Sequence, residues 1–576
     1  MIAGTARGVG GRQASPCLAP RPPRVYRRPR CTPPDQQALL VDEAPAVGLA
    51  TRPQANIVPA GGLRQRTTSL RPFAGPAAQD ALDASEPPTP LWVALSGDAL
   101  KAAAQQPEAV LAGLKALKLL GVWGVSLDVH WGAAEPAPRE FSWAAYRPAL
   151  ALVREAELKL QANFCFHADG RQGLPAWVMA VGEECPDIFY TDKAGERCHE
   201  CLTLGVDHVP VLEGRTALQC YADLIAAFAS DHAPLMGTTV TDARVGLGPA
   251  GELRYPAHPA AGGRWAFPGV GEFQCYDAFM LSSLAAAARQ AGQPHWGTSG
   301  PHDAGAYTLW PHQTGFFHHQ GSWGTEYGRF FCQWYSSLLA AHADAVLGAA
   351  AAALAGRGVR LRAALPCVHW WYHSASRAAE LTAGYYGTRD RDAYLPAMRA
   401  LARHGAAAHV PGAELTAAGQ PAAALAAPET LLLQLRGVAA ALGVPITLGN
   451  AAVGFDGRRL AELERRVFDG GCYQGVDVGP AAGVVLAEMG DAMFEPAAWT
   501  EFREWAARVR ARGAAAGGGG GGGGAPAAAP PPPLPQQQQQ HAPLREAAAE
   551  ALPHGQPPAG DRGGPGGSAR HTAVLV

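Results

Sequence analysis

The chain has 576 residues, of which 48% are apolar and 17% charged, and its formal net charge is −2. This length can bury one large core or two ordinary ones, and the near-neutral charge gives no reason to expect nucleic acid or an anionic membrane as a partner. The sequence contains no run of about 18 apolar residues, so we predict no transmembrane helix. Cys198 and Cys201 form a lone C-x-x-C pair without the second pair of a zinc ribbon, so we predict no metal site.

Both ends of the chain differ in composition from the region between them. The first 34 residues contain seven arginines and no acidic residue, and no apolar signal region is present. This pattern is typical of an organelle transit peptide, so we predict a disordered leader over 1–86 and a plastid location, with the cytoplasm as the alternative. The segment 513–576 is rich in Gly, Pro and Gln and predicts a disordered tail.

Between these ends, over 88–512, short apolar runs alternate with helical patterns. Predicted strands cover 91–96, 124–129, 160–166, 238–248, 295–299, 359–366, 405–412, 444–450 and 483–489, and the clearest helices cover 98–121 and 329–354. Apolar strands followed by amphipathic helices indicate a parallel sheet covered by helices. Eight or nine such units predict an α/β fold, a (β/α)8 TIM barrel with long βα loops.

Polar residues follow several predicted strands, at the end of the barrel where such enzymes place their chemistry. They are Asp128, His167, Glu252, His369 and Asn450, with Trp131, Trp370 and Trp371 nearby. Each alone has an ordinary explanation, such as a helix cap or a hydrogen-bonded histidine. Together they indicate a carbohydrate site, in which aromatic rings stack on sugars and polar groups bind hydroxyls.

Glu252 is the single carboxylate of the stretch "VGLGPAGELRYP". Apolar surroundings disfavour the charged form of a carboxylic acid and allow it to donate a proton near neutral pH. Glu252 is therefore predicted to be the general acid of a glycoside hydrolase.

Longer segments carry a family resemblance, among them "GVSLDVHWG", "GPAGELRYP" and "HWWYHSASRAAELTAGYY". Over about 91–410, and more weakly to about 510, the chain resembles plant-type beta-amylases, inverting exo-hydrolases that release β-maltose from non-reducing ends of α-1,4-glucans. The resemblance implies a (β/α)8 barrel, a role in starch metabolism, starch or maltooligosaccharide as partner, and no cofactor. It makes Glu252 the general acid and places Asp128, His167, His369, Asn450 and Ala451 where that family holds the glucan.

The resemblance fails at the second catalytic carboxylate. Inversion needs a general base roughly 6.5–9.5 Å from the acid, on the opposite face of the sugar. The family carries it as the Glu of a G-E-N-A motif, and the segment "ITLGNAAVGFD" has Gly449 at that position. Asn450, Ala451 and Asp456, which follow it, anchor the alignment, so a one-residue shift would not restore the Glu.

Other departures accompany the missing base. The mobile lid after the third strand is shortened to "HADGRQGLPAW", in which Asp169 is a partial substitute for the lid aspartate. Family Lys, Thr, Arg and Glu positions align with Ala364, Pro411, Glu488 and Arg244, respectively. Losing the general base typically costs a factor of about 10²–10⁴, and losing the lid and positioning groups costs more.

Three functional hypotheses follow. The first is a starch-related barrel with impaired or lost hydrolysis, which keeps glucan binding or a regulatory role. The second is an active beta-amylase with a surrogate base, for which Glu488 is the best choice. The third is a structural or protein-interaction barrel. The sequence predicts no particular protein partner or oligomeric state.

Overall fold

The computed structural model describes residues 86–388, 390–451 and 456–517. The predicted leader lies outside these residues except for Glu86, whose carboxylate pairs with Arg360 at 2.7 Å. The predicted tail also lies outside them, apart from a short stretch in which the last helix continues past residue 512 to Gly517.

Eight parallel strands close into a barrel, which confirms the predicted fold. They are β1 (Leu91–Leu95), β2 (Gly124–His130), β3 (Lys159–Cys165), β4 (Val240–Val245), β5 (Arg360–Ala364), β6 (Ala407–Val410), β7 (Ile446–Gly449) and β8 (Val484–Met489). Each strand pairs with the next one along the chain, and β8 pairs with β1. The strands are largely buried because helices cover the outside and side chains fill the inside.

One predicted strand, 295–299, is wrong. Pro294–Gly297 forms a 3-10 helix within the long segment between β4 and β5. Pro294 has no amide hydrogen to offer a neighbouring strand, and its fixed φ suits the first turn of a helix. Apolar character alone suggested a strand, but the residues pack beside helix Ala278–Gln290 instead.

The helices surround the barrel and fill the loops. They span Ala99–Gln105, Pro107–Leu119, Trp131–Ala134, Arg147–Glu155, Ala176–Glu184, Ala217–Asp231, Ala278–Gln290, Glu326–Ala353, Ala378–Ala383, Leu395–Arg403, Pro428–Leu442, Gly457–Phe468 and Pro496–Gly517. The helix predicted over 98–121 is divided at Gln106, which is not helical, with φ of −137° and ψ of 54°. The following proline disfavours the helical conformation at Gln106 and so produces the break.

Helix Glu326–Ala353 is long and apolar enough to cross a membrane by length and composition. In the fold it packs against helices Ala217–Asp231 and Leu395–Arg403 on the outside of the barrel. Its His342 contacts the Asp207 carboxylate at 2.6 Å, and Thr325 caps its first turn by accepting a hydrogen bond from the Gly328 amide. It is therefore one of the helices that cover the barrel.

Long loops build the mouth of the barrel at the carboxyl ends of the strands. The segment between β3 and β4 contains a hairpin of strands Phe189–Thr191 and Arg197–Leu202. A second hairpin, Gly471–Tyr473 with Val476–Val478, follows helix Gly457–Phe468 and packs against helix Pro428–Leu442 instead of lining the mouth. The first hairpin contacts the loop after β4, because the Ala250 amide donates to the Glu200 carboxylate.

Candidate active site

Two neighbouring cavities lie at the mouth of the barrel. The larger, about 270 Å³, lies over β4 to β7, and its lining includes Arg244, Glu252, Trp370, His409 and Asn450. The smaller, about 60 Å³, lies over β2 and β3, and its lining includes Asp128, His130, Cys165, His167 and Asp169. Arg244 and Ala250 contribute to both linings, so the cavities share a wall.

The loop after β4 holds Glu252 in place. Ala250 adopts the left-handed conformation, with φ of 54°, and the Leu253 amide donates to the Ala364 carbonyl on β5 at 2.9 Å. The Glu252 carboxylate then accepts a hydrogen bond from Arg254 Nε at 2.7 Å, with side chains 18% and 11% exposed. The expectation of apolar surroundings for Glu252 is therefore wrong, because its carboxylate forms a largely buried ion pair with Arg254.

A second carboxylate, missed in the sequence, supports the same loop. Glu200 accepts the Ala250 amide at 2.9 Å. Burial raises the pKa of Glu200, the Arg254 charge opposes that rise, and the nearby Glu252 charge adds to it. Glu252, Arg254 and Glu200 thus form one charged group beneath the loop. The only sequence signal was an acid between the two cysteines of "CHEC".

Atoms of neighbouring residues occupy the space beside Gly449, the position that aligns with the general base of the family. Gly449 ends β7, and a Cβ atom added there would lie 2.8 Å from His409 Cε1 and 3.2 Å from the Val485 carbonyl oxygen. His409 is buried on β6, and its Nδ1 contacts the Thr447 hydroxyl at 3.2 Å. Burial and the charges of Arg244 and Arg362 lower its pKa well below the usual range. A neutral imidazole therefore lies where an added side chain would begin.

The candidate surrogate Glu488 faces a different space. Among the described residues that line the larger cavity, Glu252 is the sole carboxylate. Glu488 lines a separate cavity beside β1, together with Arg171. Burial raises the pKa of Glu488, the Arg171 charge lowers it, and the charges of Asp128 and Asp98 raise it.

The predicted glucan-binding residues are divided between the two cavities. Asp128 and His167 line the smaller cavity, whereas Asn450 and Ala451 line the larger one. Burial lowers the pKa of His167 to about 4, so its ring is neutral at physiological pH. His369 is completely buried, with Nδ1 at 2.9 Å from the Cys367 carbonyl oxygen, and lines neither cavity.

The three tryptophans near the strand ends have different surroundings. Trp131 is fully buried and donates to the Glu135 carboxylate at 2.7 Å. Trp371 donates to the Pro268 carbonyl and packs against Trp310. Trp370 lines the larger cavity, and its indole NH donates to the Gly269 carbonyl at 3.0 Å. Of the three, Trp370 is the one placed to contact a ligand there.

The remaining departures also lie at the mouth. Arg244 is 3.9 Å from the Asp128 carboxylate, and Ala364 and Pro411 line the larger cavity. Asp169 accepts the backbone amides of Arg171 and Gln172 at 2.7 and 2.6 Å, which closes a tight turn. The larger cavity thus brings together the Glu252 carboxylate, an aromatic wall and several hydrogen-bonding groups.

Comparison with known proteins shows the family of the chain. Residues 94–476 match the family model described as glycosyl hydrolase family 14. The chain is 40% identical to "Beta-amylase 2, chloroplastic" of Oryza sativa subsp. japonica, over 70% of this chain and 74% of that protein. It is 41% identical to "Inactive beta-amylase 4, chloroplastic" of Arabidopsis thaliana, over 62% of this chain and 70% of that protein.

A solved structure supports the fold. The catalytic domain of beta-amylase from Paenibacillus polymyxa superposes with a TM-score of 0.60 at 23% identity, covering 74% of this chain and 99% of that one. From the family match and the extent of the sequence identity, the chain belongs to the beta-amylase family, glycosyl hydrolase family 14.

Proposed function

We propose that this protein binds α-1,4-glucans as a member of the beta-amylase family whose hydrolytic activity is lost or nearly lost. One observation carries the proposal: the base position is Gly449, and His409 lies 2.8 Å from where its side chain would start. Without a group that activates water, protonation of the leaving oxygen by Glu252 does not complete an inverting hydrolysis.

The cavity that contains Glu252 supports the binding part of this proposal. Trp370 gives it an aromatic wall, and Asn450 and Ala451 also line it. Asp128 and His167, which line the smaller cavity, would bind a further part of the glucan chain. His369 would act indirectly, by packing against Trp370 and holding its ring in position. A plastid location is part of the proposal, supported by the arginine-rich leader and by relatives named chloroplastic.

The second hypothesis, an active enzyme with Glu488 as base, is weakened by geometry. Glu252 and Glu488 line separate cavities, so a water held by Glu488 would not share the space of a sugar held against Glu252. The third hypothesis, a structural or protein-binding barrel, predicts that glucan affinity is absent altogether.

Co-sedimentation with insoluble starch and chromatography of products from maltoheptaose separate the three hypotheses. The full-length chain should sediment with starch, release no maltose, and lose sedimentation in Trp370→Ala. Trp296→Ala is a control, because Trp296 packs near Phe330, away from both cavities. Maltose release that disappears in Glu252→Gln would establish the second hypothesis. A folded chain that neither sediments nor releases maltose would establish the third.

A further inference from the structure

The ends of β2 and β3 bring together side chains that ligate metals. The strands pair in register, Asp128 beside Asn163 and His130 beside Cys165, so alternate residues of both strands point to one face. One ligand atom from each of Asp128, His130 and Cys165 lies within 4.8 Å of the other two. Neither the family match nor the proposed glucan binding accounts for a cysteine and a histidine at this place.

The smaller cavity in front of these residues has the size and lining of an ion site. Its volume of about 60 Å³ is sufficient for an ion with a water. His167 and Asp169 line the same space, and Asp169 Oδ2 is 3.8 Å from His130 Nε2. Five potential ligands therefore surround it.

Two buried histidine nitrogens point to a missing partner. The Nδ1 atoms of His130 and His167 are buried and have no hydrogen-bond partner among the described residues. His167 is nine-tenths buried. Buried polar atoms are hydrogen-bonded in the great majority of cases, so two unpaired ring nitrogens beside a cysteine and an aspartate require an explanation. Ligation of a metal ion provides one.

Hydrogen bonds behind the cluster orient its carboxylate. Gln161 Nε2 donates to Asn163 Oδ1 at 2.8 Å, and Asn163 Nδ2 donates to Asp128 Oδ1 at 2.8 Å. This relay fixes one oxygen of Asp128 and leaves the other for a ligand, as the outer groups of metal sites do. Arg244 opposes a cation, because its guanidinium lies 3.9 Å from the same carboxylate.

We propose that Asp128, His130 and Cys165 bind a divalent transition-metal ion in the smaller cavity, which His167 also lines. Mixed thiolate, imidazole and carboxylate ligands suit Zn²⁺. Binding converts the Cys165 thiol into a zinc-bound thiolate and releases its proton to solvent. The inference does not depend on glucan binding, because metal content is measured without any sugar.

The test uses the full-length chain, stripped with a chelator and titrated with Zn²⁺ against a chromophoric chelator. We expect one tightly bound ion, one proton released from the thiol, and a thiolate charge-transfer band when Co²⁺ replaces Zn²⁺. Cys165→Ser should abolish the band, and Asn163→Ala should weaken binding about 10–100-fold. Arg244→Gln should tighten binding. Cys332→Ser is the control, since Cys332 is a buried cysteine on helix Glu326–Ala353.

If Cys165→Ser fails to fold, the Co²⁺ spectrum of the unsubstituted chain still tests the proposal, because the thiolate band is measured without any substitution. A chain that binds no stoichiometric metal would overturn the proposal. So would a Co²⁺ complex without a thiolate band, or one whose band persists in Cys165→Ser and vanishes in Cys198→Ser with Cys201→Ser.

Discussion

The two sides of the larger cavity present different groups. The acid side, comprising Glu200 and the loop 250–255, presents the Glu252 carboxylate with its supporting contacts. The base side, comprising His409, Thr447 and Gly449, has no carboxylate among these residues, and an imidazole lies against the glycine. The acid side also has a structural role: Glu252 pairs with Arg254, and Tyr255 is fully buried against Tyr335. The presence of Glu252 is therefore explained by folding, independently of the general-acid role predicted from the sequence.

The largest expected effect comes from rebuilding the base side. Gly449→Glu alone should remain inactive, because its Cβ would meet His409. Gly449→Glu combined with His409→Ala opens the space, and we expect maltose release to rise by a factor within the range of about 10²–10⁴ that a general base contributes. The measurement is the rate of maltose release from maltoheptaose, with Glu252→Gln added as the control. Equal activity of the single and double variants would contradict the role assigned to His409.

The next effect tests the structural role of the acid side. Arg254→Leu leaves Glu252 and Glu200 without their shared cation in a mostly buried place, so it should lower the free energy of unfolding by about 3–5 kcal/mol. Urea denaturation measures the loss. Arg465→Ala removes a surface pair with Glu462 and should cost less than about 1 kcal/mol. Similar small losses in both variants would mean that the Glu252 pair does not stabilise the loop.

The third expected effect is a pH dependence of stability that comes from helix Ala378–Ala383. This helix lies beside the acid side, because its Ala383 carbonyl accepts a hydrogen bond from the Tyr255 amide. Burial raises the pKa of Glu380 to about 7, although Arg377 and the Tyr394 hydroxyl oppose that rise. An unfolded glutamate titrates near pH 4.3, roughly. Between these values the folded state holds a proton that the unfolded state has lost, so this contribution to stability falls as pH rises towards 7.

Glu380→Gln cannot titrate and should remove that dependence. The free energy of unfolding of the variant, relative to the unsubstituted chain, should increase by about 3 kcal/mol between about pH 4 and pH 8. Urea denaturation across this range measures it. A constant difference between the two proteins would show that Glu380 titrates alike in the folded and unfolded states.

The smallest effect probes the contact at the base side alone. Gly449→Ala forces a methyl group against His409 and should cost about 1–3 kcal/mol. Gly479→Ala is the matched control, since a Cβ atom there meets nothing within 4 Å. Adding His409→Ala to Gly449→Ala should relieve the strain at that contact. If Gly449→Ala is as stable as the Gly479→Ala control, His409 does not restrict the space beside residue 449.

The barrel was predictable because its signal is local and repeated. Eight of the nine predicted strands form, each as an apolar run before a loop, and the false one at 295–299 has the apolar composition without a neighbouring strand. The ion pair of Glu252 was also within reach, since Arg254 lies two residues away. His409 was not, because it meets Gly449 only where β6 and β7 lie side by side. Burial of His369 likewise depends on loops that the sequence pattern does not position.

The most direct test of the central claim is a proton NMR time course of maltoheptaose with the full-length chain at high concentration. A site with an acid but no base should give no signal of newly formed β-maltose, and Glu252→Gln should give the same spectrum. A transient excess of β-maltose that vanishes in Glu252→Gln would contradict the account, because it would show that another group activates water opposite Glu252.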